Sequence, residues 1–171
     1  MYGIDIFDNI GMPLDWATVY YGINRGILNI DIAHEFACRQ LECNEHVSEE
    51  EIALSWHIKN RQDVLEQIEP MLSTCGNVEK SLEKAKDKIR IAIIINLRKT
   101  EKDIDRLLEQ IEIVYADFGY PVDMEEFISY MPSSEGYDPS KHKFEDNKCH
   151  LLTNLDDFIR EKKQEYGLKE K

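Results

Sequence analysis

Between Val78 and Lys99 the chain repeats apolar residues at helical spacing without a break, with Leu82, Ala85, Ile89, Ala92 and Ile93 on one stripe. This period predicts one helix of about 33 Å. Its second half carries the run Ile91-Ala92-Ile93-Ile94-Ile95 and is apolar on several sides, so it is the expected central, most buried element. The Ile-rich segment Arg90–Leu97 also suits a strand, but the helical stripe enters it continuously from Leu82. Thr100–Asp103 reads as a capping box with Asp in place of Glu. It opens a second helix through Ile104, Leu107, Leu108, Ile111, Val114 and Tyr115. Two helices joined by a tight turn at Lys99-Thr100 form an antiparallel hairpin. The expected fold is all-α: a single-domain helical bundle over residues 1–171, built on this hairpin with the N-terminal helices packed against it.

The rest of the chain supplies those helices. Gly3, Gly11 and Pro13 break the first residues into a short turn or edge. Pro13 leads into a helix at about Leu14–Asn24, with Asp15 at its start and Leu14, Trp16, Ala17, Tyr20 and Tyr21 along one side. Asp31–Glu45 repeats Ile32, Phe36, Ala37, Cys38 and Leu41. Ser48 and Glu51 form a capping box that opens a helix to about Lys59, where Asn60 ends it. Arg61–Ser73 is helical with Pro70 expected to kink or end it, and Cys75-Gly76-Asn77 is a break. After the hairpin, Val122–Met131 reads as a short helix between Pro121 and Pro132. Residues 133–149 read as a long polar loop. Thr153 or Asn154 caps a final helix at about 153–167, Gly167 stops it, and Leu168–Lys171 frays.

Charge is distributed unevenly. The net charge is −13, with −7 in residues 1–60, 0 in 61–110, −7 in 111–147 and +1 in 148–171. Such a balance opposes direct binding to nucleic acid or an anionic membrane; if the two acidic segments lie side by side they form a face that speeds encounter with a basic partner, and simple solubility is the competing explanation. No apolar run approaches the ~18 residues of a membrane span. The N-terminal segment lacks the basic head and apolar core of a secretory signal, so a soluble cytoplasmic protein is expected. The four cysteines, Cys38, Cys43, Cys75 and Cys149, lack paired spacing and are expected to stay reduced.

Candidate chemistry is sparse. His34, Cys38, Cys43 and His46 suggest zinc, because His34 and Cys38 share a helix face. Cys43 falls elsewhere on that helix and His46 lies beyond it, so two buried cysteines packing as small apolar groups is the simpler reading. Cys149-His150 are neighbours, a spacing that does not align a base with a nucleophile. No glycine-rich phosphate loop is present. Asp117, Asp123, Glu125 and Glu126 could ligate a metal, but acids at 123, 125 and 126 equally suit the positive end of the short helix. Phe118 and Phe127 are assigned to packing. Tyr120 and Tyr130 beside these acids make a good surface for Lys and Arg, because the rings pack and the carboxylates pair.

One stretch carries a resemblance. Tyr115-Ala116-Asp117-Phe118-Gly119-Tyr120-Pro121, followed by Met124, Phe127 and Tyr130-Met131-Pro132, resembles the closing signature of a bacterial family catalogued as domain of unknown function 2247. Leu14-Asp15-Trp16 through Gly22, with Gly26 and Ala33, is similar to that family's N-terminal half. The resemblance spans about residues 10–132 and leaves the last loop and helix outside. It implies a helical protein of a family with no established enzymatic activity and supplies no catalytic residues to carry over; no cofactor is expected. It also implies association with polymorphic-toxin loci, where small acidic immunity proteins bind a toxin domain and block it. The expected function is thus neutralisation of a cognate, basic toxin. The candidate interface is Asp117, Tyr120, Asp123, Glu125, Glu126 and Tyr130, with Glu49 and Glu50. A metal-dependent enzyme and a helical scaffold or oligomerisation module are the alternatives.

Overall fold

The structure, a computed structural model, describes residues 1–56, 58–73, 76–132 and 136–168. The expected break at Cys75, loop residues 133–135 and the tail beyond 168 lie outside the described residues. The chain is all-α: among the described residues the regular elements are helices, with one isolated parallel bridge between Tyr2 and Leu28. It divides into two compact units, Met1–Ile89 and Arg90–Lys171. No helix is long and apolar enough to cross a membrane.

The first unit holds α1 (Asp5–Asp8), α2 (Trp16–Asn24), α3 (Asp31–Cys43), α4 (Glu49–Leu54), α5 (Arg61–Ser73) and the start of α6 (Val78–Thr100). Asp15 caps α2 by accepting a 2.8 Å hydrogen bond from the Thr18 N–H. The buried residues of α2 are Ala17, Thr18, Val19, Gly22 and Ile23, while Leu14, Trp16, Tyr20 and Tyr21 are half-buried. Trp16 and Tyr20 stay half-buried because their polar ends find carboxylates: the Trp16 indole donates to Glu51 at 2.9 Å and the Tyr20 hydroxyl to Glu69 at 3.0 Å. Gly22 is required by packing, since a Cβ there would stand 2.2 Å from Leu28 Cδ1. α2 packs against α5, and α4 against both α3 and α5.

The capping box of α4 forms as expected. Ser48 Oγ accepts from the Glu51 N–H at 3.1 Å, and Glu51 Oε2 accepts from the Ser48 N–H at 2.9 Å. The helix stops at Leu54 rather than about Lys59, because the Ser55 hydroxyl takes the Ile52 carbonyl at 2.7 Å and Trp56 turns outward. Asn60 starts the next helix instead of ending this one, its side chain accepting from the Gln62 N–H at 3.0 Å. Pro70 lies inside α5, which ends three residues later at Ser73.

The second unit takes in the end of α6, α7 (Ile104–Asp117), a 3₁₀ helix (Val122–Phe127), a 3₁₀ turn (Pro139–Lys141) and α8 (Phe144–Glu165). Ile91, Ala92, Ile93, Ile94 and Ile95 are each at most 5% exposed, so this stretch of α6 is buried on every side, as its sequence predicts. Among them lies Arg90, 3% exposed. Glu101–Asp103 joins α6 to α7, a loop of helical-hairpin length. The α7 cap is Asp103, which accepts from the Asp105 and Arg106 N–H groups at 3.0 and 3.1 Å. Thr100 instead closes α6 by donating to the Asn96 carbonyl at 2.8 Å, so the expected capping box does not form.

Two further expectations are corrected here. Val122–Phe127 is a 3₁₀ helix, and Ile128 is already extended. Its buried residues, Met124 and Phe127, are three apart, and the 3₁₀ period places them on one side. The supposed loop 133–149 contains the 3₁₀ turn and the first residues of α8, which begins at Phe144. Lys143, at the N-cap of α8, makes no side-chain cap bond, so the usual start signal is missing. Tertiary contacts hold this first turn: Lys148 pairs with Asp105 at 2.5 Å, and the Tyr137 hydroxyl donates to Asn147 at 2.7 Å. Phe158 of α8 packs on Phe127 of the 3₁₀ helix with ring centroids 5.0 Å apart.

Candidate functional site

The end of α7 builds the site. Gly119 (φ 80°) and Tyr120 (φ 59°) are both left-handed. The Tyr120 N–H reaches back to the Tyr115 carbonyl at 2.9 Å and the Gly119 N–H to Ala116 at 3.1 Å, which is a Schellman motif. Glycine takes this conformation without cost. For a tyrosine it costs about 1–2 kcal/mol, and Pro121 disfavours right-handed helical continuation at Tyr120. The apolar contact that accompanies such a motif is here an aromatic pair, with Tyr120 edge-on to Tyr115 at 5.3 Å and 81°. Tyr130 lies 6.4 Å from the same Tyr115 ring. Tyr115 is 2% exposed, whereas Tyr120 and Tyr130 are 61% and 59% exposed. One buried ring therefore supports two outward ones.

Two carboxylates, Glu125 and Glu112, act on these rings. Burial first, then the charge of Glu125 and the neighbouring Tyr130 and Tyr120, holds the Tyr115 phenol above its ordinary value. Tyr130 is raised likewise by desolvation and by Glu112. Asp117 is exposed at the last residue of α7. A helix C-terminus disfavours negative charge, and no basic residue occupies this last turn. Glu125 and Glu126 are half-buried in the 3₁₀ helix, and the Glu126 carbonyl accepts from Asn154 Nδ2 at 2.9 Å.

Asp123 has a different place. Its Oδ2 accepts from Arg90 Nη2 at 2.9 Å, its Oδ1 from Arg90 Nη1, and Lys162 stands 3.6 Å away. Burial works to raise this carboxyl, but the hydrogen bonds and charge of Arg90, with Lys162 behind, outweigh it and hold the carboxyl below its ordinary value. Asp123 is therefore committed within its unit, as the partner of a buried guanidinium.

Next to Tyr130 the second unit opens a groove of about 350 Å³. Leu108, Ile128, Met131, Phe144 and Leu151 supply its apolar walls, and Asp105, Glu109, Glu112 and Glu126 supply its acids. Ser129 donates to Glu112 across it. One side carries an aromatic stack in which Tyr137 is flanked by His150 at 3.8 Å and His142 at 4.6 Å. Sequence reasoning missed Glu112, Ser129 and this stack. The acidic balance of residues 111–147 takes in Glu112, but no sequence signal marked Ser129 or the stack.

Glu49 and Glu50 belong to the first unit, in the first turn of α4. Glu50 lines a broad depression of about 660 Å³ with Trp16, Phe36 and Met71. The other six candidate residues lie in the second unit.

The four residues weighed as a zinc set are not gathered into one site. His34 and Cys38 approach to 3.9 Å, while Cys43 and His46 are exposed. Cys38 is half-buried, so the reading of two buried cysteines is also corrected. Among the described residues no group of three or more His, Cys, Asp or Glu is arranged to hold a metal.

A family model described as an uncharacterized protein conserved in bacteria (DUF2247) matches residues 4–163, well past the 10–132 expected from the signature and through most of α8. No curated protein and no solved structure matches the chain.

Proposed function

Because the chain belongs to the DUF2247 family, we propose that it acts as an immunity-type protein. In this reading it meets a cognate bacterial toxin domain in the cytoplasm and neutralises it by direct contact. The contact surface is the Tyr120–Tyr130 face with Asp117, Glu125 and Glu126. Asp123, paired with Arg90 and Lys162, lies in the same 3₁₀ helix as Glu125 and Glu126.

One observation carries this reading. Tyr120 and Asp117 sit where the fold alone would choose otherwise, a bulky residue in left-handed backbone and an acid at a helix C-terminus, and both are exposed. Strain of this kind gathers at functional positions. Exposed tyrosines on a rigid base, with the charges of Glu112 and Glu125 acting on the cluster, suit the Lys and Arg of a basic toxin. The association with polymorphic-toxin loci that the family resemblance implies is in keeping with this reading.

The test is co-expression with the product of the gene immediately upstream, followed by purification and a growth assay. A tight complex that relieves toxicity supports immunity. An upstream product that is not toxic and does not bind removes it.

A further inference from the structure

We infer that the groove between α7 and α8 is the docking site for an apolar segment of the partner protein carrying Lys or Arg; this rests on the reading of the chain as a partner-binding protein. Apolar walls and acidic edges are combined in one cleft. Leu108, Ile128, Met131 and Leu151 form the floor and walls, and Glu109 and Glu112 stand on the α7 side. Among the described lining residues, Lys148 pairs with Asp105 at 2.5 Å and lies over the Phe144 ring at 4.3 Å. The cleft therefore keeps an excess of negative charge beside apolar surface.

That combination selects its occupant. A purely cationic chain would leave the walls wet, and a purely apolar one would strip water from the carboxylates without pairing them. A segment with Leu-like and Arg-like side chains on one face satisfies both, as in helix-in-groove recognition. Glu112 links the groove to the tyrosine face: it accepts from Ser129 and its charge acts on Tyr130. The partner thus meets Tyr120 and Tyr130 on the outer surface and inserts a side chain into the groove beside them.

The probe is a short synthetic helical peptide with Leu and Arg on one face, titrated into the isotope-labelled full chain and followed by amide NMR. A matched peptide with Glu in place of Arg is the control. The expected result is shifts gathered around Leu108, Glu112, Ser129 and Leu151, with no binding of the Glu peptide. Ser129→Trp fills the groove while keeping its charges and abolishes the shifts, and Glu109→Gln with Glu112→Gln weakens binding by about tenfold. Binding that survives Ser129→Trp in a folded protein is mere charge attraction and overturns the inference, as do shifts scattered over the surface or absent. If the peptide docks but no toxin complex forms, the immunity reading fails and the groove stands. If the toxin binds and the peptide does not, the groove falls and the immunity reading stands.

Discussion

Tyr120 and Tyr115 are joined twice, by a 2.9 Å hydrogen bond from the Tyr120 N–H to the Tyr115 carbonyl and by an edge-on ring contact at 5.3 Å. The backbone bond ends α7 and the ring contact sets the direction of the exposed Tyr120 side chain. Helix termination and surface presentation are therefore one event at this position.

That coupling separates two substitutions. Tyr120→Ala loses the ring contact and keeps the left-handed strain. Tyr120→Gly loses the same contact and relieves the strain. Chemical denaturation is expected to rank Gly above Ala by about 1 kcal/mol, and both variants should lose partner affinity.

Asp117 offers a gain of stability with a loss of function. Asp117→Lys replaces an acid with a base at the C-terminus of α7 and is expected to stabilise the protein by about 0.5 kcal/mol. Its association with the toxin should slow, and the salt dependence of that association should shrink. Melting curves and stopped-flow association measure the two effects.

Asp123 behaves in the opposite sense. Asp123→Ala removes two charge-assisted hydrogen bonds from the 3%-exposed Arg90. The expected loss is about 2–3 kcal/mol, below the full cost of breaking a buried pair because Asp123 is itself partly exposed. The pH dependence follows from its lowered pKa and that of Asp15, where burial is outweighed by Lys88 and Thr18. A carboxylate lowered by folding adds stability that is complete above its unfolded value of about 3.9 and is lost as pH falls through the folded value. Denaturant midpoints should stay level down to about pH 5 and drop below about pH 4. The drop should be shallower in Asp123→Asn.

Gly22 tests the packing of the first unit. Alanine would gain about 1 kcal/mol of helix propensity, but its Cβ would meet Leu28 Cδ1 at 2.2 Å and Cγ at 2.3 Å. Leu28 is 1% exposed and has little room to move. Gly22→Ala is expected to destabilise the protein by a net ~1 kcal/mol, read as a lower melting temperature.

Local signals in the sequence carried much of this structure. The stripe from Leu82 into Ile93 identified α6, and Asp15 and the Ser48–Glu51 pair marked two helix starts, because each depends on neighbours within one or two turns. The start of α8 was hidden because Lys143 supplies no cap and distant groups, Asp105 and Tyr137, hold its first turn. Arg90 appeared as one charge before an Ile run, and its partner Asp123 lies 33 residues away, a distance periodicity does not register. Asp123 is exposed, as an acid read as surface should be, and it also pairs a buried arginine, which the sequence did not reveal. The left-handed backbone of Tyr120 was hidden too, since the sequence favours Gly119 for that role and does not reveal that the next residue shares it.

The central claim is that the Tyr120–Tyr130 face holds the toxin. The most direct measurement is the affinity of the upstream gene's product for the intact chain and for a chain carrying Tyr120→Gly with Tyr130→Ala, both checked for helical content. The account predicts an unchanged fold and a loss of affinity of about a hundredfold or more, as for paired aromatic hot spots. Equal affinity in a folded double variant would contradict it.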